Sequence, residues 1–239
     1  MKLHRFIGDF DLSKQEVEIT DPKIIKQIKA VLRLEPGDKI ILSDGKGQEA
    51  EVVLNLVSVG KITGIIEKLT EPADAQNSQG FGEAKKVNLY IAILKKENFE
   101  LAVQKAVEAG VSHITPMITE RTVKTGLNFE RLEKIIREAS EQSGRSVVPL
   151  LSSITDFEDA LMDGKKSKLR ILFHPAGKFY EGNKAEGSIS IFIGPEGGFT
   201  ERELQRAQDE DYGIFSLGHL TLRAETAAMI AVYRAASGI

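Results

Sequence analysis

Hydrophobic and polar positions divide the chain into two kinds of pattern. From residue 87 onward, short apolar runs alternate with stretches of helical period. The runs predict strands over 87–94, 113–116, 169–173, 188–193 and 214–217. The periodic stretches predict helices near 99–109, 129–143, 157–162, 201–210 and 224–236. Apolar runs such as 189–193 read as strands buried on both faces. Strand and helix in alternation predict an α/β domain built on a parallel sheet.

Residues 1–70 follow a different rule and read as small and mostly β. Val17-Glu18-Ile19 alternates, and Lys39-Ile40-Ile41-Leu42 does so less cleanly. Asp44-Gly45-Lys46-Gly47 is a turn signal before Glu49-Ala50-Glu51-Val52-Val53, and 61–68 is a further strand candidate. One helix interrupts them over roughly 22–34, with Asp21 as cap and Pro22 as first helical residue. At roughly 100° per residue, Lys23, Lys26, Lys29 and Arg33 share one face. Ile24, Ile25, Ile28, Val31 and Leu32 fall opposite. That cationic face is either a solvated surface or a phosphate-binding stripe. Between the two regions, 71–86 is rich in Pro, Ala, Gln, Asn, Ser and Gly without periodicity, so it reads as a linker or loop. The division is therefore 1–70, 71–86 and 87–239.

Composition narrows the class. With 239 residues, 41% hydrophobic and 28% charged, the chain has ordinary globular character. No apolar stretch is long enough to span a bilayer, and no signal-peptide core follows Met1-Lys2-Leu3-His4-Arg5. The absence of Cys excludes disulfides and thiolate chemistry, and four scattered His argue against a metal site. A cytoplasmic location is expected. The net charge of −3 argues against coating nucleic acid by bulk electrostatics and leaves room for a local basic face.

The densest unusual chemistry is Ile193-Gly194-Pro195-Glu196-Gly197-Gly198-Phe199-Thr200, a strand, a glycine turn and a helix start. Thr200 can cap that helix with Glu203 three residues on. The glycines allow close approach and positive φ, and Pro195 stiffens the turn. The spacing is neither that of a dinucleotide fold nor that of a P-loop. It suits a small-ligand loop or a tight structural turn equally, and Glu196 favours a cationic or hydroxyl-rich ligand over phosphate. Ligands in open parallel sheets bind at strand carboxyl ends, and three of the strands end in unusual loops: Phe173-His174-Pro175, 193–198 and Leu217-Gly218. Leu222-Arg223-Ala224-Glu225-Thr226 opens the last helix, where Arg223 and Glu225 can point into one cleft or simply decorate a helix start. Gln142 and Arg145 end an earlier helix. Arg121 follows the strand at 113–116.

Taken in order, these residues resemble the SPOUT methyltransferases, specifically the bacterial 16S rRNA uracil-N3 methyltransferases. The markers are Gln104-Lys105 with Glu108-Ala109-Gly110-Val111, then Pro116 and Thr119-Glu120-Arg121. Glu141-Gln142-Ser143-Gly144-Arg145 with Pro149 comes next, then 193–199, then Leu217-Gly218 with 222–227. The chain departs from the family at Leu220-Thr221, where Arg-Ile usually stands.

The resemblance implies an N-terminal PUA-like β-barrel that helps hold RNA, and a C-terminal SPOUT α/β domain with a parallel sheet and a trefoil knot. It implies a homodimer that binds S-adenosylmethionine and methylates N3 of one uridine in small-subunit rRNA, on an assembled particle. No metal and no membrane partner is expected. The cofactor is expected to meet Phe173, His174, Ile193, Gly194, Pro195, Glu196, Gly197, Ser216, Leu217, Gly218, Leu222 and Thr226. Arg223 is the expected stabiliser of charge on uracil. Glu225 is its base or an orienter of Arg223, with water as a further route for the proton. RNA is expected to meet Arg5, Lys23, Lys26, Lys29, Arg33, Arg121, Gln142 and Arg145. Three other readings compete: a SPOUT ribose 2′-O-methyltransferase, a non-catalytic RNA-binding or assembly factor, and an α/β enzyme that uses the glycine loop for phosphate.

Overall fold

The computed structural model describes residues 3–70, 85–95, 97–182 and 187–239. The expected linker lies largely outside these residues. The chain forms two compact units. Of the described residues, the first takes 3–70 together with 140–148, so the last turn of one helix and the residues after it belong with the N-terminal region rather than with 87–239.

In the first unit, β1 (His4–Ile7), β2 (Glu16–Ile19), β3 (Lys39–Ser43), β4 (Glu49–Val57) and β5 (Ile62–Thr70) form one sheet in the order β1-β3-β4-β5-β2. β1 pairs parallel to β3, and the other pairs are antiparallel. Alternate side chains of the strands turn inward, so Phe6, Val17, Ile19, Ile40, Leu42, Val52, Leu54 and Ile62 share a buried core with Leu12 and the helix residues Ile24, Ile25 and Ile28. The sequence pattern does not reveal β1, because four residues beginning with His4-Arg5 carry too little alternation.

The helix at 22–34 is a correction. Asp21 caps it through the Lys23 N–H at 2.7 Å, as expected. α1 then runs only over Pro22–Lys26 and gives way to a π-helical turn over Gln27–Val31. There the Leu32 N–H donates to the Gln27 carbonyl, five residues back rather than four. A wider turn advances the phase by less than 100° per residue, so Val31 leaves the apolar face and is 68% exposed. Arg33 has left the helix, at φ 54°.

The second unit carries a seven-stranded parallel sheet in the order β12-β10-β11-β6-β7-β8, with the short β9 (Thr155–Asp156) also on β7. Its members are β6 (Val87–Ala92), β7 (His113–Ile118), β8 (Leu150–Leu151), β10 (Leu169–Phe179), β11 (Ile189–Ile193) and β12 (Gly213–Ser216). Among the described residues five helices accompany it: α2 (Asn98–Ala109), α3 (Phe129–Ser143), α4 (Phe157–Gly164), α5 (Glu201–Asp209) and α6 (Ala224–Ser237). All five residues of β11 are buried. An aromatic layer packs there: Phe192 stacks on Tyr90 at 4.5 Å between ring centroids and meets Tyr212 edge-on at 5.1 Å. α4 and α5 add Phe157, Leu161 and Ala207 to this core. α6 packs with α2 and against β6 and β11.

β10 outruns its expected end. Phe173 pairs with Phe215, and after a register shift Lys178 pairs with the same residue, so 174–177 bulge out of the ladder. The bulge carries His174 to the carboxyl edge of the sheet.

Candidate active site

The carboxyl ends of β10, β11 and β12 enclose a cavity of about 730 Å³ in the second unit. Parallel strands bring this about: each hands its chain to a loop at the same edge. Phe173 and His174 come from β10, and 193–197 from β11. Ser216, Leu217 and Gly218 come from β12, and Leu222, Arg223 and Glu225 from the start of α6. Of the residues expected around the cofactor, Thr226 alone does not line it. A residue later on the helix, Ala227 does. Lys95 and Asn98, after β6, also line it and were missed by the sequence reading. The same carboxyl-end rule points to them, but nothing in the Lys95 and Asn98 side chains marks them out.

The turn after β11 is tight: the Gly198 N–H donates to the Pro195 carbonyl at 2.8 Å, with Gly198 at φ 67°. Gly194 and Gly197 have ordinary φ, and protein packing explains them. A Cβ on Gly194 would lie 3.1 Å from the Phe199 ring, and one on Gly197 would lie 3.3 Å from Cδ of Arg121.

Three side chains, one of them from the turn itself, hold it in place. Glu196 accepts the Lys95 N–H at 2.9 Å. Arg121 Nη1 donates to the carbonyls of Gly197 at 2.7 Å and Phe199 at 3.3 Å. Glu203, buried, accepts the Thr200 N–H at 2.8 Å in the expected capping box. Its other oxygen accepts the Glu120 N–H at 2.9 Å.

His174 Nδ1 accepts the Ala176 N–H at 3.3 Å, which leaves Nε2 as the proton carrier of the neutral ring. Burial, then the charge of Arg121, holds its pKa below the usual value. Arg223 is the exposed N-cap of α6 and Glu225 lies in its first turn. Glu225 is 8% exposed and places a negative charge at the cavity wall. The helix N-terminus supports that charge, but a carboxylate so placed also favours a cation beside it. The site can thus take a ligand with an apolar body against Phe173, Ile193, Leu217 and Leu222, and a cationic centre. No group of His, Asp and Glu among the described residues can hold a metal, and none of their helices is long and apolar enough to cross a membrane.

Comparison with known proteins agrees. The RNA methyltransferase domain matches residues 82–236, and the RNA methyltransferase PUA domain matches 19–67. The chain belongs to the RNA methyltransferase family. The ribosomal RNA small subunit methyltransferase E of Rickettsia conorii is 29% identical to it, over 97% of this chain and 94% of that protein. The protein of the same description from Mesomycoplasma hyopneumoniae is 33% identical over 69% and 72%. Among solved structures, the ribosomal RNA small subunit methyltransferase E of Neisseria gonorrhoeae bound to S-adenosyl methionine superposes with a TM-score of 0.83. It is 29% identical, with 97% of this chain and 95% of that one covered.

In this RNA methyltransferase the expected RNA contacts are shared between the two units. Lys23, Lys26 and Arg33 are exposed, while Lys29 is half-buried in the π turn. Arg5 is half-buried in an ion pair with Glu49 and its pKa is lowered by burial. Gln142 is exposed at the end of α3, and Arg145 donates from Nε to the Val147 carbonyl at 3.2 Å. Desolvation pushes the Arg145 guanidinium down to about 10. Both belong to the first unit. Arg121 turns its guanidinium onto the glycine turn of the second. Internal bonds of this kind compete with a role at the surface, and no spacing rule in one dimension could reveal them.

Proposed function

We propose that this chain transfers a methyl group from S-adenosylmethionine to N3 of a uridine in small-subunit (16S) rRNA, on the assembled subunit. The observation that carries the reading is Glu225, a largely buried acidic residue in the wall of an apolar cavity, beside Arg223. A sulfonium-bearing nucleoside fits that donor set: its adenine matches Phe173, Ile193, Leu217 and Leu222, and its positive charge matches the carboxylate. When bound, it supplies an electrophilic methyl carbon on a good leaving group.

The chain's own residues supply the rest. Uracil N3 is a weak nucleophile while protonated. As the N3–CH3 bond forms and the S–CH3 bond breaks, the N3 proton has to leave. Glu225 receives that proton directly, or orients Arg223 while water takes it. Arg223 donates to a flanking carbonyl oxygen and offsets the charge that grows there. The turn 194–198 and residues 216–218 hold the donor through main-chain groups. Lys23 and Lys26 give RNA a phosphate-binding surface, joined by Arg33. The chain acts as a homodimer with its C-terminal segment knotted.

The test is transfer of labelled methyl groups to undermethylated small subunits, compared with naked rRNA, followed by mass spectrometry of the released nucleosides. 3-Methyluridine formed preferentially on subunits supports the reading. A label on ribose would make the chain a 2′-O-methyltransferase, and no transfer would make it a binding factor. Light scattering at twice the 26.3 kDa chain mass supports the dimer.

A further inference from the structure

The glycine turn is the part of the cavity wall with the greatest chain freedom, since Gly194, Gly197 and Gly198 fall within five residues. A ligand that relies on main-chain groups there needs the turn set in advance. The residues after β7 do this at two points. Their loop is closed on itself by the Thr119 N–H to Thr122 Oγ1 at 2.9 Å and by the Thr122 N–H to the Thr119 carbonyl at 3.1 Å. Glu203 then seats the loop through the Glu120 N–H, with the oxygen its capping box leaves over. From that seat Arg121 reaches the turn: one Nη1 serves two carbonyls, and Cδ packs over the space that Gly197 leaves open.

We propose that Arg121 is a positioning residue for the cofactor turn, seated by Glu203, and not an RNA contact. The proposal rests on the reading that the cavity binds S-adenosylmethionine. Arg121 acts through main chain, touching neither uracil nor the transferred methyl. Because its guanidinium donates into the turn, its substitution disturbs donor binding more than the chemical step. Arg suits this role because the rigid guanidinium plane fixes the directions of the two N–H bonds on Nη1, whereas a Lys ammonium is a freely rotating point donor.

The experiment compares wild type with Arg121→Gln, Arg121→Lys, Glu203→Gln and Ala227→Phe, all in the full chain and each checked by thermal melting. Calorimetry gives S-adenosylmethionine affinity, initial rates on small subunits give KM and kcat, and filter binding gives subunit affinity against salt. Arg121→Gln is expected to weaken donor affinity roughly ten- to hundredfold, the range for a lost charge-assisted hydrogen bond. It is expected to raise KM for the donor far more than it lowers kcat, and to leave subunit affinity and its salt slope unchanged. Arg121→Lys recovers part of the loss, and Glu203→Gln reproduces a weaker form of it. Should Arg121→Gln not fold, Arg121→Lys and Glu203→Gln carry the same KM-against-kcat comparison. Donor affinity within twofold of wild type in the folded Arg121 variants overturns the proposal, as does a flattened salt slope with donor affinity intact. Ala227→Phe fills the cavity directly. If it abolishes donor binding while the Arg121 variants do not, only the positioning role falls. If it leaves donor binding intact, the cavity reading falls and takes the positioning role with it.

Discussion

The helix surface at Lys23 and Lys26 and the turn at 194–198 represent two ways of preparing for a ligand. Through Glu196, Arg121 and Glu203 the turn is anchored to two separate segments, at Lys95 and at Glu120-Arg121. Its use depends on geometry, so small displacements matter and salt does not. The cations of α1 are exposed, and the side chains of Lys23 and Lys26 make no hydrogen bond or ion pair among the described residues. Their use depends on charge, so exact placement matters little and salt matters much. A protein that handles a small donor and a large polyanion has reason to keep both devices.

The contrast can be broken in steps. The largest expected effect is at the chemical centre. Arg223→Ala should lower kcat on small subunits by about 10²–10³, the range for one lost donor to a developing oxyanion, with donor affinity by calorimetry unchanged. Full turnover would remove Arg223 from the mechanism. Next comes the turn. Gly194→Ala places a methyl against the Phe199 ring; overpacking there should cost about 1–3 kcal/mol, measured by denaturant unfolding, with weaker donor binding. If stability and donor affinity both hold, the turn is more yielding than its anchors suggest.

Charge reversal tests the other device. Lys23→Glu with Lys26→Glu should weaken subunit binding about tenfold at low salt and reduce the slope of log affinity on log salt by roughly 2. Donor affinity should not move. An unchanged slope would leave that face a solvated surface. The smallest effect concerns pH. His174 has a folded pKa below its usual value of 6.5, by burial first and the Arg121 charge second. The unfolded chain therefore takes up this proton first as pH falls. The stabilisation is complete above pH 6.5 and is lost as pH drops through the folded value. Arg121→Gln should raise the His174 pKa in an NMR titration, and Arg121→Lys should do so less.

Much of the second unit is legible in the sequence because its signals are local. Buried parallel strands read as apolar runs, and helices have their own period. The boundaries of β11, α3 and the capping box at Thr200 agree with the sequence pattern within a residue. The candidate cavity is legible for a topological reason: in a parallel sheet, strand ends share an edge wherever they fall along the chain. The first unit is harder. Its helix pattern assumes a constant 100° step, which the π turn at 27–31 breaks, and Val31 and Arg33 move with it. The pattern ends β10 early because His174-Pro175 looks like a strand end, and the bulge that rejoins the ladder depends on β12.

By itself, the order of residues determined which segments are strand or helix in the α/β region, which loops gather at one edge, and which side chains there can carry chemistry. These follow from backbone preference and burial period, which act over a few residues. Only the tertiary structure decided that Arg121 donates to the carbonyls of Gly197 and Phe199, that Arg5 pairs with Glu49, and that Glu225 is largely buried at the cavity wall. Those outcomes depend on segments far apart along the chain, 76 positions in the pairing of Arg121 with Gly197. A charged group's partner is set by proximity in space, and a string of residues does not contain that distance.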